Sequence, residues 1–361
     1  MTLSSAGWSP WVALMVVGSL YVFGGSRAKR SLSSGRAQCE ALAGAAELPG
    51  RMVVIGDLHG DRDALVEILV AAGVSDASCE WRGGQDAVVV QLGDVVDRGP
   101  DSEGANACLR RLQASAPGAV FRLAGNHEVI WAEGDFRFAS RTETPAVRSR
   151  LIRMWLDEVS AGNVVGAYAA GPVLFTHAGF RPAMLAKVSP DPFAQNPASV
   201  AASLARLVNS ELRSAVEKCS GIRCAFEGDL FSAGRDRGGN GVGGTFWTDF
   251  GILLDADADA LPAGLVQVVG HSAARCSARA SPKCEPIRAR QDLAAVCVDA
   301  GLSVAYASNR AYLEIRNGTL VTLTRTVGGA WRERDLTAEA CASDNNPPDS
   351  DGRSPPLQDA L

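Results

Sequence analysis

The sequence predicts an α/β fold whose buried strands end at one shared polar site, and three observations predict it. Short apolar runs recur between residues 51 and 325, most of them closed by a Gly-Asp, Gly-Asn, Gly-His or Thr-His step. The first run passes into a stretch with helical spacing at Ala64, Leu65, Ile68, Leu69 and Ala72, so strands alternate with helices. All four histidines of the chain, His59, His127, His177 and His271, lie just beyond such run ends. Open α/β sheets gather ligands at the carboxyl ends of their strands, so the pattern alone places a site there.

The elements follow in chain order. Residues 8–24 are uncharged and apolar, at the roughly 17-residue lower limit for crossing a bilayer. Arg27, Lys29, Arg30 and Arg36 follow them and no Lys or Arg precedes them, so a retained anchor would leave the following domain on the cytosolic or stromal side. A cleaved targeting segment or organelle and secretory delivery are the alternatives, together with a buried core helix. Residues 25–50, rich in Ser, Gly, Ala and Arg, read as a linker. The catalytic domain is expected over 51–341, and the Pro- and Asp-rich residues 342–361 as a disordered tail.

Within that domain, 52–55, 87–92, 120–123, 173–175 and 265–269 read as buried strands that each deliver a polar residue at the carboxyl end. Further strands are expected at 295–299, 312–316 and 320–325. Helices are expected at 63–72 and 200–218, and the Gly-rich loop 234–244 reads as a lid or insertion over the pocket. A chain of 361 residues with 47% hydrophobic content can bury a sizeable core. Its formal charge of −5 and dispersed Lys and Arg exclude the concentrated basic face of a nucleic-acid binder. Of nine cysteines none forms a Cys-x-x-Cys pair. Cys219, Cys224, Cys276, Cys284 and Cys297 cluster, so one or two bridges are expected in an oxidising compartment and free thiols otherwise.

The polar steps form a chemical set. Asp57, His59, Asp94, Asn126, His177 and His271 offer carboxylate, amide and imidazole ligands, with Asp94 as the natural bridge. One metal would take Asp57, His59 and Asp94; a second would take Asp94, Asn126, His177 and His271. This mixed donor set suits manganese, iron or zinc better than magnesium or calcium. Two divalent or trivalent ions would activate a bridging hydroxide for attack on a phosphate ester. His127 is then free to protonate the leaving oxygen, Asp97 to orient that imidazole, and Arg98 to clamp phosphate oxygens.

Gly-Asp-Leu-His-Gly at 56–60, Gly-Asp-Val-Val-Asp-Arg-Gly at 93–99, Gly-Asn-His-Glu at 125–128, His-Ala-Gly at 177–179 and Gly-His at 270–271 resemble the calcineurin-like metallophosphoesterases, in their phosphoprotein phosphatase branch. The segment 125–140 is similar to the Shewanella-like protein phosphatases, a group found in bacteria, plants, algae and some protists. The resemblance covers about residues 51–320. It implies a metallophosphoesterase fold, a central β-sandwich flanked by helices with a dimetal site at the strand ends, and the ligand and acid roles given above. It also implies that Asp135, Phe136 and Arg137 line the substrate side of the pocket. Related phosphatases carry a second phosphate-binding Arg, often close after a Trp. Here the comparable place reads Phe246-Trp247-Thr248-Asp249, and Arg235 or Arg237 is left to replace it. Asp299 is expected either to orient His271 or to close a plain turn.

The expected function is hydrolysis of phosphoprotein monoesters on Ser, Thr or Tyr. The alternatives are a phosphohydrolase of small metabolites or dinucleoside polyphosphates, and a membrane-tethered protein that binds phosphoproteins without turnover. The partner is thus a phosphoprotein or a phosphorylated small molecule and not a nucleic acid, with residues 8–24 as a membrane tether; the oligomeric state is open. Few aromatic residues flank the motifs, which disfavours a nucleobase pocket.

Overall fold

The computed structural model describes residues 26–188, 196–241, 243–257 and 260–343, with side chains described from residue 35 onward. The expected anchor at 8–24 and nearly all of the expected tail lie outside these residues. Among the described residues no helix is long and apolar enough to cross a membrane.

Two sheets face each other. The first runs β1 (Arg51–Ile55), β2 (Ala87–Gln91), β3 (Val120–Leu123) and β4 (Val164–Val165) in parallel. On the other side of β1 it continues through the antiparallel strands β10 (Ala311–Arg316), β11 (Thr319–Arg325) and β12 (Trp331–Asp335). The second sheet orders β5 (Ala167–Ala170), β6 (Val173–Thr176), β7 (Val266–Val269), β9 (Ala295–Cys297) and β8 (Arg288–Ala289), with β6, β7 and β9 parallel. Alternation assigns the faces of β6. Val173 and Phe175 join the core shared with the first sheet, whereas Leu174 joins the outer layer beneath helices. The expected strands are all present. The missed ones, β4, β5, β8 and β12, are edge strands: β8 and β12 are short or polar, and β4 and β5 are brief pieces of one Ala- and Val-rich stretch with no polar ligand at its end.

Helices cover both outer faces. α2 (Arg62–Ala71) buries Ala64, Leu65, Ile68 and Leu69, and starts where the Asp61 carboxylate accepts from Ala64 N–H. α3 (Ser102–Ser115) buries Leu109 and Leu112 on the same sheet. On the second sheet, α5 (Pro145–Ser160) and α7 (Pro197–Glu217) close a layer built on Trp155, Leu204, Val208 and Leu212. Each such fully buried aliphatic side chain contributes about 1.5–3 kcal/mol.

Residues 26–43 are not a linker: they form helix α1 (Ser26–Ala43). Their Ser, Gly and Arg content hides the helix because tertiary contacts rather than an apolar stripe hold it. Gln38 and Leu42 are buried, the Gln38 amide donates to Leu265 C=O at 3.5 Å, and Cys39 is bonded to Cys341 in the last helix, α9 (Leu336–Ser343). Three more disulfides join Cys79 to Cys108, Cys219 to Cys224 and Cys276 to Cys284, and only Cys297 is a free thiol. The cluster at 219–297 yields two bridges; the other two join cysteines far apart in sequence that the spacing does not pair.

Candidate active site at the meeting of two sheets

The carboxyl ends of β1, β2 and β3 meet those of β6, β7 and β9. The turn after β1 carries Asp57 and His59, and the turn after β2 carries Asp94, Asp97 and Arg98. β3 leads into α4 (Asn126–Glu133), which begins with Asn126 and His127. β6 delivers His177, β7 delivers His271, and β9 delivers Asp299. These turns are tight enough to force side-chain-bearing residues into left-handed backbone: φ is 44° at His59, 53° at Asp94, 72° at Asp97, 69° at Arg98 and 66° at His271. Non-glycine residues adopt this region at a cost, and such positions concentrate at functional sites. Gly93, at φ 95°, packs so closely that a Cβ there would lie 2.5 Å from Gly125 N.

Two ligand groups share one residue. His59, Asp94 and His127 form one, Asp94, His177 and His271 the other, each with its ligand atoms within 4.8 Å of one another. Asp94 Oδ2 lies 3.7 Å from His59 Nε2, and Oδ1 lies 3.5 Å from His177 Nε2. Asn126 Oδ1 sits 2.8 Å from both His177 Nε2 and His271 Nδ1. Asp57 accepts from His271 N–H at 3.0 Å, linking the first turn to the last ligand. All six expected ligands lie around this cluster, but His127 and not Asp57 stands in the first group with His59 and Asp94, and Asp57 is tied to it through His271 N–H.

Their hydrogen bonds fit metal ions. His59 Nδ1 pairs with Val96 C=O at 3.0 Å and His177 Nδ1 with Leu92 C=O at 2.8 Å, which puts the proton on Nδ1 and a lone pair on each inward Nε2. The His177 lone pair then faces the Asn126 carbonyl, an acceptor facing an acceptor, and His271 Nδ1 lies 2.8 Å from that carbonyl and 3.2 Å from His177 Nε2. A cation among these three atoms would resolve the conflict. Burial, with the charges of His127 and Arg98, pushes the His59 pKa down to about 3, and burial lowers those of His177 and His271 as well. All three are neutral ligands at pH 7. Burial opposes ionisation of Asp94, yet the surrounding imidazoles, His177 foremost, hold it well below the usual carboxylate range. Burial and then the Asp299 and Asp94 charges raise Asp57.

His127 shares the first group with His59 and Asp94, its Nε2 3.8 Å from Asp94 Oδ2, but unlike the other histidines it has a carboxylate on Nδ1. Its Nδ1 meets Asp97 Oδ2 in a very short contact, and Nε2 lies 3.2 Å from Arg98 Nη2. Burial would lower its pKa, but Asp94 and Asp97 together raise it. Asp97 is fully buried. The Arg98 guanidinium is held between the rings of Phe138 and Tyr306, at 4.8 and 5.2 Å.

A second guanidinium flanks the other ligand group. Arg237, in a single 3-10 turn (Arg235–Arg237), donates to Asp249 Oδ2 at 2.6 Å and to Ser272 Oγ at 3.1 Å, and its charge bears on both His177 and His271. Arg235 is exposed. The Gly-rich loop thus supplies an arginine from outside the expected Trp-proximal place, and Asp249, standing at that place, holds it. Thr248 is buried, its hydroxyl donating to Gly244 C=O at 3.0 Å.

Other expectations land differently. Asp135 and Arg137 pair with each other at 2.6 Å with Arg137 largely exposed, so they stand at the rim. Phe138 of the same segment reaches inward, its ring 5.2 Å from that of His127. Asp299 does not touch His271: it shares a hydrogen bond with Asp57 and accepts from Gly301 N–H at 3.1 Å, and burial raises its pKa to about 6. Aromatic residues are not scarce here either, since Phe138, Tyr306 and Trp247 surround the cluster, two of them from loops remote from any motif. Two further buried carboxylates brace the turns. Glu128 accepts from the N–H groups of Asp94, Val95, Val96 and Gly125, and Glu143 accepts from Asp97 N–H and Ser102 Oγ. Glu128 was legible as the fourth residue of its motif; nothing in the sequence marks Glu143.

Residues 50–204 match the model of the calcineurin-like phosphoesterase family. The chain is similar to Shewanella-like protein phosphatase 2 of Arabidopsis thaliana, 36% identical over 137 residues that make up 37% of this chain and 34% of that protein. It is also similar to serine/threonine-protein phosphatase rdgC of Drosophila melanogaster, 31% identical over 131 residues, 36% of this chain and 19% of that one. The chain spans only between 19% and 38% of the length of the curated relatives it matches. A cold-active protein-tyrosine phosphatase of a psychrophilic Shewanella shares the fold, with a TM-score of 0.52 at 20% identity over 80% of each chain.

Proposed function

We propose that this chain is a metal-dependent phosphomonoesterase acting on phosphoproteins, with phosphotyrosine as its preferred side chain. The observation that carries the reading is the position of Asp94 in both ligand groups, with the His127–Asp97 pair on one flank and a guanidinium on each side. Asp57, His59, Asp94, Asn126, His177 and His271 would hold two ions of the manganese, iron or zinc kind. Such ions supply an activated water and neutralise phosphate oxygens.

The chain's own residues do the rest. Arg98 and Arg237 bind phosphate oxygens from opposite sides; the Nε atoms of both are buried and unpartnered. The raised pKa of His127 keeps its imidazole protonated nearer neutrality, with Nε2 turned to the side where the leaving oxygen departs. Asp97 stabilises that charge and fixes the ring. Phe138 lies beside His127, so an aryl leaving group finds a ring to stack on, whereas serine or threonine would leave it uncovered.

The same aromatic rim favours one alternative, a dinucleoside polyphosphate stacked by its base. The binding-only reading drew its support from a missing arginine, and Arg237 removes that support. Hydrolysis of phosphotyrosine, phosphoserine and phosphothreonine peptides beside diadenosine tetraphosphate, with and without manganese, tests the proposal. Manganese-dependent turnover fastest on phosphotyrosine is expected; turnover of the dinucleotide alone would reject it.

A further inference from the structure

Asp97 is gripped from three directions. Its backbone N–H donates to Glu143 at 2.8 Å, its Oδ2 meets His127, and its Oδ1 accepts from the indole N–H of Trp131 at 2.7 Å. Trp131 lies one helical turn after His127 in α4, on the same face, and is 2% exposed. Phe136 meets the indole edge-on, and the Arg148 guanidinium lies over Phe136, so the ring is fixed from behind. We propose that Trp131 is a positioning residue for leaving-group protonation: its N–H fixes the Asp97 carboxylate so that Oδ2 alone faces His127. An indole suits this task because it only donates and does not titrate, so it cannot take the proton that the pair must hold. Without it a buried carboxylate oxygen is unpaired and the carboxylate is free to turn away from the imidazole.

The inference rests on His127 being the proton donor, and the test separates the two. Replacing Trp131 by benzothienylalanine keeps the shape and exchanges N–H for sulfur; Trp131→Phe is the second variant and Trp131→Gln, which retains a donor, the rescue. Each is assayed on a phosphoserine peptide, whose alkoxide leaves poorly, and on dinitrophenyl phosphate, whose leaving group needs no proton. Loss of the N–H is expected to lower kcat about tenfold or more on the peptide and hardly at all on the dinitrophenyl ester, with KM and bound metal unchanged. It adds nothing in a His127→Asn background. In metal-free protein the low-field His127 Nδ1 proton resonance of the wild type is expected to move or broaden in the variant and to return with Gln. Equal losses on both substrates, or an unmoved resonance, overturn the role of Trp131 while His127→Asn keeps its leaving-group dependence. A His127→Asn variant indifferent to the leaving group overturns both readings.

A separate observation concerns where the protein works. Eight of its nine cysteines stand in four disulfides, with Cα–Cα distances from 4.4 to 6.3 Å, and the ninth, Cys297, is buried. One bond spans 302 residues and clamps α1 to α9. We infer that the folded domain resides in an oxidising compartment, against the cytosolic or stromal side to which Arg27, Lys29, Arg30 and Arg36 would assign it. There each pair gives two protons and two electrons to a disulfide-exchanging oxidant. Segment 8–24 then serves delivery rather than retention with the domain in the cytosol. Full-length protein taken from its own cells, trapped in acid, denatured and treated with a maleimide polymer is expected to gain a single label, and one on every cysteine after reduction. Labelling of both members of any pair before reduction overturns the inference.

Discussion

The half of the site contributed by residues 51–165 and the half contributed by residues 166–335 are built by different rules. In the first, each functional group sits within a few residues of a buried parallel strand: Asp57 and His59 after β1, Asp94 to Arg98 after β2, Asn126 and His127 after β3. The strand end fixes the group, so spacing in the chain is spacing in the site. In the second, His177 and His271 obey that rule, but Arg237, Asp249 and Tyr306 arrive on loops whose paths depend on what they pack against. The family match covers the first half and runs on to residue 204, taking in His177 and leaving His271 and Arg237 beyond it. A strand end constrains sequence tightly; a loop needs only to deliver a guanidinium, by whatever route.

The largest effect tests whether the halves are one site. Asp94 belongs to both ligand groups, so Asp94→Asn is expected to remove bound metal and activity together, whereas His59→Ala and His271→Ala each leave the other group in place. Metal per chain, measured by elemental analysis beside kcat, checks this. Metal retained at wild-type level in Asp94→Asn would show two independent halves.

The next effect lies in the first half alone. His127 touches Asp97 and Arg98 and stands beside rather than within the pairing of Asn126, His177 and His271. His127→Asn is expected to lower turnover of alkyl phosphates by about 10²–10⁴-fold, the ordinary range for a lost general acid, with metal content near wild type. A matching loss of metal would make His127 a ligand and not the proton donor.

The legibility of the sequence follows the same boundary. The central strands were readable because each is an apolar run closed by glycine and a polar residue, and all six expected ligands converge for that reason. The edge strands were not, because β8 and β12 alternate polar residues or span two positions. α1 was missed because a disulfide, the Gln38 amide and the buried Leu42 hold it, and these leave no periodic trace. Glu143 and Trp131 act by reaching back to Asp97 across 46 and 34 positions, a distance that no local pattern records. Of the two readings of Asp299 the turn is the one found, closed by Gly301 N–H, and its side-chain partner is Asp57 and not His271.

Arginine substitutions sharpen the comparison further. If Arg98 and Arg237 are equivalent clamps reached by different routes, Arg98→Ala and Arg237→Ala should each weaken inhibition by orthophosphate by about 10–100-fold, the equivalent of one charge-assisted hydrogen-bonded contact of 1.5–3 kcal/mol. Asp249→Ala should reproduce part of the Arg237 loss, because Asp249 only holds the guanidinium, at 2.6 Å. An Arg237→Ala variant with wild-type phosphate affinity would confine phosphate recognition to the first half.

The smallest effect asks which half reads the substrate. Phe138 belongs to the first and Tyr306 to the second, and the two rings enclose Arg98 between them. Both can stabilise the guanidinium, but only Phe138 also stands within 5.2 Å of His127, where the leaving group departs. Stacking on a single ring contributes about 0.5–1.5 kcal/mol, which corresponds to roughly a two- to tenfold change in KM. Phe138→Ala is therefore expected to raise KM for phosphotyrosine peptides by that amount and to leave phosphoserine peptides nearly unchanged. Tyr306→Phe should change neither, because the Tyr306 ring that faces Arg98 remains. If Phe138→Ala raised KM for both peptides equally, the ring would be acting through Arg98 on the phosphate common to them, and preference for an aryl group would have to come from elsewhere on the rim.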